Sequence, residues 1–404
     1  MKICNFRAHY SPTMLSYVII FMVEKMNYIK INLKLNNPLA FWANFSESER
    51  FFWFDPQKET FVIGCERLKA IDLEHDKFSD YPYLFHSQTF FDDIKGELWE
   101  NFGGETIAFK HYFVVNKENS YTLTCDSPRE IPEITIPKFK HQLTEKASDF
   151  SAWQELFYAI QKNFADGKSR KIVASRELEF TSQTSFELES IIQNLLDNNP
   201  NAFIFAYQKG KRIFLGASPE ILVQKENDQL LSYALAGTFP KTMENAGQKL
   251  LTDPKNLLEH DIVVQKIKRN LLEKAETVTV GTTELMELKN VYHLRTILSA
   301  KNSELSLIDW TKQLHPTPAL GGEPRHEALE FLRKHENHER GLYAAPLGLI
   351  DSKGNGTMIV GIRSALIVDK KLYAYAGCGI IPSSDALEEF RETKVKLKTI
   401  LEAL

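Results

Sequence analysis

Cysteine is scarce in this chain of 404 residues: four, at Cys4, Cys65, Cys125 and Cys378, with no Cys-x-x-Cys pair and no His/Cys spacing of the zinc-finger kind. A disulfide framework and a cysteine-ligated structural zinc are thereby excluded, and a reducing cytoplasm is the expected compartment. Basic residues are not concentrated either. Lys and Arg number 49 against 53 Asp and Glu, a net charge of −4, and they are scattered, so the electrostatic footprint of a nucleic-acid binder is missing. No apolar run near the start reaches the ~20 residues of a bilayer span; the longest, Met14 to Val23, is broken by Ser16 and Tyr17. No small-residue cleavage pattern follows it, so secretion is not expected. Residues 1–27 read as a possible N-terminal extension, with Met26 as the alternative start. Repeats and low-complexity stretches are also lacking. What remains, 43% hydrophobic and 25% charged, is the composition of a folded, soluble protein with a large core, expected as a monomer or weak homodimer.

The texture changes along the chain. From residue 28 to about 125, aromatic and β-branched runs (Phe51 to Phe54, Phe61 to Ile63, Tyr112 to Val115) alternate with polar turns, which is the strand signature. Residues 126 to 146 carry three prolines and many charges and read as a connector, so 28–146 forms a β-rich part and 147–404 a second part of one domain. A helical period follows at Phe150 to Phe164, where Trp153, Leu156, Phe157 and Ile160 share a face. Strands are expected at Ala202 to Tyr207, Arg212 to Ala217 and Leu230 to Thr238, and again at Gly341 to Ile350, Thr357 to Val368 and Leu372 to Ile381. Their connections are short enough only for antiparallel pairing. One charged helix opens with Asp253 as N-cap and Pro254 at its first position and buries Leu257, Val264, Ile267 and Leu271. Another opens at Asp385, with Glu388 three residues on, and buries Leu387, Phe390, Leu397 and Leu401. The fold class expected is α+β: large antiparallel β-sheets packed together with helices on the outside.

Nine segments place small residues, prolines and charges where plain strands and helices would not want them. They are Lys171 to Arg176 (Lys-Ile-Val-Ala-Ser-Arg), Gly216 to Glu220 (Gly-Ala-Ser-Pro-Glu), Ala234 to Thr238 (Ala-Leu-Ala-Gly-Thr), Glu259-His260, His293-Leu294, His315 to Gly322, Gly341 to Tyr343, Gly361 to Arg363, and Ala376 to Ile380 with Glu389 to Thr393. In this order they resemble the chorismate-utilising enzymes, the family of isochorismate, anthranilate, aminodeoxychorismate and salicylate synthases. The resemblance covers roughly residues 150 to 404, and it implies chorismate as the small-molecule substrate.

What the resemblance implies for Lys171 is the general base, and for Glu220 the general acid. Converting chorismate to isochorismate needs both: water attacks ring carbon 2 while the carbon 4 hydroxyl leaves, so one group takes a proton and another gives one. Taken alone, Lys171 would pass for a snorkelling lysine at a strand edge, and Glu220 for a solvated turn carboxylate after Pro219. The family's magnesium ligands fall on Glu259 and Glu392, with Glu389 one turn earlier assisting through water, a set of oxygen donors that suits this hard cation. The plainer account of Glu392 is an i, i+4 pair with Lys396. One departure stands out: many relatives carry an acidic residue three before Glu259, and here it is Asn256.

For the substrate's carboxylates the resemblance implies Tyr343, Arg363, Lys396 and the backbone amides of Gly377, Cys378 and Gly379, with His293 near the ring. Arg363, in the middle of an apolar strand, wants an anionic partner. Ala236, Gly237, Thr238, Ala319 and Leu320 complete the expected pocket. Ala236 cannot supply the lysine nucleophile of the aminodeoxychorismate synthases, and Ala319 stands where lyases that expel pyruvate tend to have threonine. Both residues favour the hydroxyl-exchanging members, the isochorismate synthases. A salicylate or anthranilate synthase is the alternative, and a non-catalytic binding protein of the same fold the second. The product's destination, menaquinone or a siderophore, is not legible in the residues.

Overall fold

The structure is a computed structural model that describes residues 28–146 and 150–404 together with a two-residue strand, Ile19–Ile20. The alternative start at Met26, the remainder of the N-terminal extension and the boundary at residue 147 lie outside the described residues.

Alternation of side chains on strands of period two builds the scaffold. Phe51 and Trp53 of strand Arg50–Asp55 enter one core while Phe52 enters another, and Phe205 and Tyr207 divide in the same way from Ile204 and Ala206. That alternation means the strands are buried on both faces. One layer runs through Ser120–Thr124, Thr106–Val115, Thr60–Ala70, Arg50–Asp55, Phe203–Lys209, Arg212–Ser218, Ser364–Val368, Lys371–Ile380 and Lys171–Ser182, each antiparallel to the next. The second continues from the start of Thr106–Val115 through Tyr83–Ser87, Pro346–Asp351, Gly356–Val360, Ile221–Glu226, Gln229–Pro240 and Val291–Lys301, again antiparallel throughout. The α+β expectation is borne out.

The largest core lies between the layers and is aromatic: Phe51, Phe85, Phe205, Tyr207, Phe214 and Tyr375 meet there. Helices Leu188–Asn198 and Ala386–Leu401 cover the outer face of the first layer through Ile191, Leu195, Leu397 and Ile400. Helix Pro254–Leu272 lies against strands Gln229–Pro240 and Val291–Lys301 of the second and buries Val263, Val264, Ile267 and Leu271. Its N-cap is Asp253, whose carboxylate accepts from the Asn256 amide; Asp385 caps the last helix by accepting from Leu387 and Glu388. Both starts were expected from sequence.

Three expectations need correction. Leu257 and Leu387 are exposed rather than buried, at 37% and 41%, because the buried face of these first turns is carried by Asn256 in one helix and by Ala386 and Glu389 in the other. Leu401 is only half-buried. The segment 357–368 is not one strand but two, Gly356–Val360 and Ser364–Val368, in different layers, and Gly361, Ile362 and Arg363 form the crossover. Arg363, immediately before strand Ser364–Val368, has φ +52°, and its side chain is buried at the cavity wall.

Candidate active site

At one end of the sandwich, the start of strand Lys171–Ser182 and the end of its neighbour Lys371–Ile380 face the charged helices. Lys171 is fully buried, and its Nζ lies 2.9 Å from Glu259 Oε1 on helix Pro254–Leu272. Gly379 makes that meeting possible: a Cβ there would fall 2.2 Å from the same Glu259 oxygen and 2.8 Å from Lys171 Cε. Gly377 plays the equivalent part for Tyr343, whose hydroxyl lies 2.9 Å from where a Cβ would be. Tyr343 stacks on Tyr375 at 5.2 Å between ring centres.

Glu220 occupies the turn between strands Arg212–Ser218 and Ile221–Glu226 and is 3% exposed. Burial raises its pKa to about 8, although Arg363, Lys171 and Lys396 pull the other way. It is therefore protonated at neutral pH, as a proton donor must be. Arg363, also buried, donates from Nη2 to His293 Nε2 at 2.6 Å, and burial lowers its pKa to about 10. Because Nε2 accepts, the imidazole proton sits on Nδ1, 2.9 Å from Thr238 Oγ1 and 3.3 Å from the Gly237 carbonyl. The ring is held neutral by burial and by Arg363. Among the described residues no carboxylate forms an ion pair with Arg363, so its guanidinium is directed by His293 while its charge is left for an anion.

The three glutamates expected at a metal are near enough for Glu392 and Glu259 to act on the charge of Glu389, but they do not bring one oxygen each within 4.8 Å of the other two, and each meets a lysine. Besides Lys171 with Glu259, Lys396 pairs with Glu392 at 2.7 Å and Lys255 with Glu389 at 2.7 Å. The i, i+4 pair of Glu392 with Lys396 is thus formed, on a helix face that looks into the cavity rather than onto the surface. Lys396 also donates to the Gly377 carbonyl. Glu389 is almost wholly buried, and burial together with Glu392 raises its pKa to about 7. Two helices presenting three carboxylates, with Glu259 and Glu392 on the cavity wall, offer the oxygen donors a hard divalent cation takes. The cavity itself, about 60 Å³, is lined by Glu220, Ala236, Gly237, Thr238, Glu259, His293, Ala319, Leu320, Tyr343, Arg363, Gly377, Cys378, Gly379, Glu392 and Lys396. Only Lys171 and Glu389 of the sequence-derived set stand just behind this wall.

A family model described as chorismate binding enzyme matches residues 72–404. The chain belongs to the chorismate-binding enzymes. Isochorismate synthase MenF of Bacillus subtilis is 30% identical over 91% of each chain, and the salicylate biosynthesis isochorismate synthase of Pseudomonas aeruginosa is 36% identical over 64% of this chain and 56% of its own. The solved structure of MenF, the menaquinone-specific isochorismate synthase from Escherichia coli, shares the fold at TM-score 0.77 and 22% identity, covering 93% of this chain and 94% of that one.

In this chorismate-binding enzyme two further contributors escaped the sequence reading. Arg340, 1% exposed, is clamped by Glu336 at 2.6 Å and donates to the carbonyls of Leu320 and Val173 at 2.8 and 2.7 Å, tying the Ala319-Leu320 wall to the Lys171 strand. Glu336 in turn accepts from the Ser175 amide and hydroxyl. The i, i+4 spacing of Glu336 and Arg340 was the signal available, but it reads as a surface pair. Lys255, the partner of Glu389, had no signal at all.

Asn256, the departure from the family pattern, does what a carboxylate could not. Its Oδ1 accepts from the Thr238 amide at 3.0 Å while its Nδ2 donates to Asp253 Oδ1 at 2.7 Å. Asn256→Asp would place two carboxylates in contact and remove the donor, so a loss of about 1–3 kcal/mol is expected in urea denaturation at neutral pH. Equal stability of the two proteins would contradict this reading.

Glu220 carries a stability signature as well. Unfolded, its carboxyl titrates near 4.5; folded, near 8. Between those values the native state keeps a proton that the unfolded chain has lost, so stability is full below 4.5 and falls as pH rises to about 8. Glu220→Gln removes that dependence and is expected to gain on the order of 5 kcal/mol over wild type above pH 8, with no gain near pH 4. Denaturation curves at the two pH values test it; a pH-independent difference would refute the protonated, buried carboxyl.

Proposed function

We propose that the chain is a magnesium-dependent isochorismate synthase, interconverting chorismate and isochorismate by adding water at ring carbon 2 and expelling the carbon 4 hydroxyl. One observation carries the reading: Glu220, a buried carboxyl with its pKa near 8, and Arg363, a buried guanidinium without a carboxylate partner among the described residues, line one cavity, with Lys171 fully buried just behind its wall. An acid, a base and an anion receptor are what this hydroxyl exchange asks for.

Arg363, oriented by His293, would take one substrate carboxylate in bidentate fashion. Tyr343 and the Gly377 to Gly379 backbone would bind beside it, and Lys396 would donate to a carboxylate on leaving Glu392. Mg2+, when bound by Glu259 and Glu392 with Glu389 behind them, would neutralise the substrate's other carboxylate. Lysine is a base only as the neutral amine, so the Lys171–Glu259 ion pair must part and Lys171 release its extra proton to solvent before it takes the proton of the attacking water. Glu220 hands its proton to the departing hydroxyl, which leaves as water. In the reverse direction the two exchange roles.

Full-length similarity to MenF of Bacillus subtilis favours the menaquinone route for the product over a siderophore, and isolated cysteines fit a cytoplasmic enzyme. Reaction in ¹⁸O-labelled water tests the chemistry: isochorismate should carry the label at carbon 2. Unlabelled product would mean that the original hydroxyl migrates, and the division of labour between Lys171 and Glu220 would fall. Ala319→Thr, on the cavity wall, is expected to release pyruvate above the wild-type level. A variant that still turns over chorismate without any additional pyruvate would show that Ala319 does not set the outcome.

A further inference from the structure

Far from the cavity, on the β-rich N-terminal part, strand Thr60–Ala70 carries Glu66, strand Thr106–Val115 carries His111, and Asp126 follows strand Ser120–Thr124. One ligand atom from each lies within 4.8 Å of the other two. Two carboxylates near each other are common on a surface and are answered here by surface cations: Arg129 pairs with Glu66 at 2.5 Å, and Lys110 lies 3.7 Å from Glu66 and 3.5 Å from Asp126. The imidazole is different. His111 is 4% exposed, and its Nε2 has no hydrogen-bond partner.

Its tautomer depends on its other contact. Thr124 Oγ1 donates its proton to the Asp126 carbonyl at 3.0 Å and accepts from the Asp126 amide at 3.1 Å, and it lies 2.8 Å from His111 Nδ1. With the hydroxyl proton on that carbonyl, Nδ1 is the donor and Nε2 presents a bare lone pair; the hydroxyl turned toward Nδ1 gives the other tautomer. That lone pair faces Glu66 Oε2 at 3.7 Å, acceptor against acceptor. Burial lowers the imidazole pKa, so a proton is a poor solution near neutrality. Arg129 and Lys110 satisfy the carboxylates and leave the imidazole unanswered; one cation accepting lone pairs would answer all three. Both surface side chains are long and partly exposed, at 51% and 35%, and can withdraw into solvent.

We propose that Glu66, His111 and Asp126 bind a divalent transition-metal ion of the Zn2+ class, independently of the glutamates in the catalytic cavity. One imidazole and two carboxylates favour such an ion over Mg2+, which prefers an all-oxygen shell. With Nδ1 donating to Thr124, the imidazole is held as metal-bound histidines require. The ion would join two neighbouring strands to the first residue of the connector, and it would stabilise the fold in proportion to its occupancy.

Calorimetric titration of the full chain with Zn2+ in excess Mg2+ tests the proposal, with wild type, Glu259→Gln, His111→Gln and Asp126→Asn side by side. One Zn2+ equivalent should persist in Glu259→Gln and weaken at least about tenfold in both His111→Gln and Asp126→Asn. Asp126 is exposed, so Asp126→Asn should keep the fold and its turnover of chorismate with Mg2+ while losing the Zn2+-dependent rise in melting temperature. Zn2+ binding that disappears in Glu259→Gln, or that is unchanged in Asp126→Asn, would overturn it.

Discussion

Lys171→Ala and Glu220→Gln are each expected to lower turnover of chorismate by about 10²- to 10⁴-fold, the usual scale of a lost general base or acid. Both should bind the substrate, since Arg363 and Tyr343 are untouched. The pH profile distinguishes them from generally damaged proteins. In wild type, Glu220 must hold its proton, so kcat/KM is expected to fall on the alkaline side as pH passes about 8. Glu220→Gln should lose that limb along with its activity. Because the reaction is reversible, each variant should be impaired by the same factor when isochorismate is supplied. Lys171→Ala retaining more than about a tenth of wild-type turnover would fall outside the general-base scale and return Lys171 to the rank of a strand-edge lysine.

Chelation of Mg2+ is expected to abolish turnover while leaving urea unfolding cooperative. Helix Pro254–Leu272 is held by Val263, Val264, Ile267 and Leu271, and helix Ala386–Leu401 by Phe390, Leu397 and Ile400. The lysines at 171, 255 and 396 already pair with the three glutamates, so no carboxylate is left facing another without a counter-charge. Glu392→Gln should raise the Mg2+ needed for half-maximal rate by at least about tenfold, again without loss of fold. Full activity in chelator would remove the metal from the mechanism; loss of cooperative unfolding would make it structural.

Much of this was legible in the sequence, for physical reasons that differ by element. Aromatic runs bounded by polar turns, such as Phe51 to Phe54, and the caps at Asp253 and Asp385 act locally, so they could be read locally. The nine motifs named the cavity wall because each places a glycine, proline or charge where packing alone would not. Tertiary facts were not legible. Apolar residues flank the Gly361 to Arg363 crossover on both sides, so the segment reads as one strand and nothing announced that Arg363 adopts positive φ between two. The pairing of Lys255 with Glu389 joins residues 134 apart. Arg340 went unmarked because the carbonyls it binds, those of Val173 and Leu320, lie far from it in the sequence. Leu257 and Leu387 were misjudged because an apolar residue was taken to mark the buried face, which in these turns is held by the polar Asn256 and Glu389.

The most direct test is incubation of the purified protein with chorismate and Mg2+, with the products separated by chromatography against standards. The account predicts isochorismate approaching a fixed ratio with chorismate from either direction, without pyruvate. Salicylate with released pyruvate, anthranilate when ammonia is added, or unchanged chorismate would contradict it.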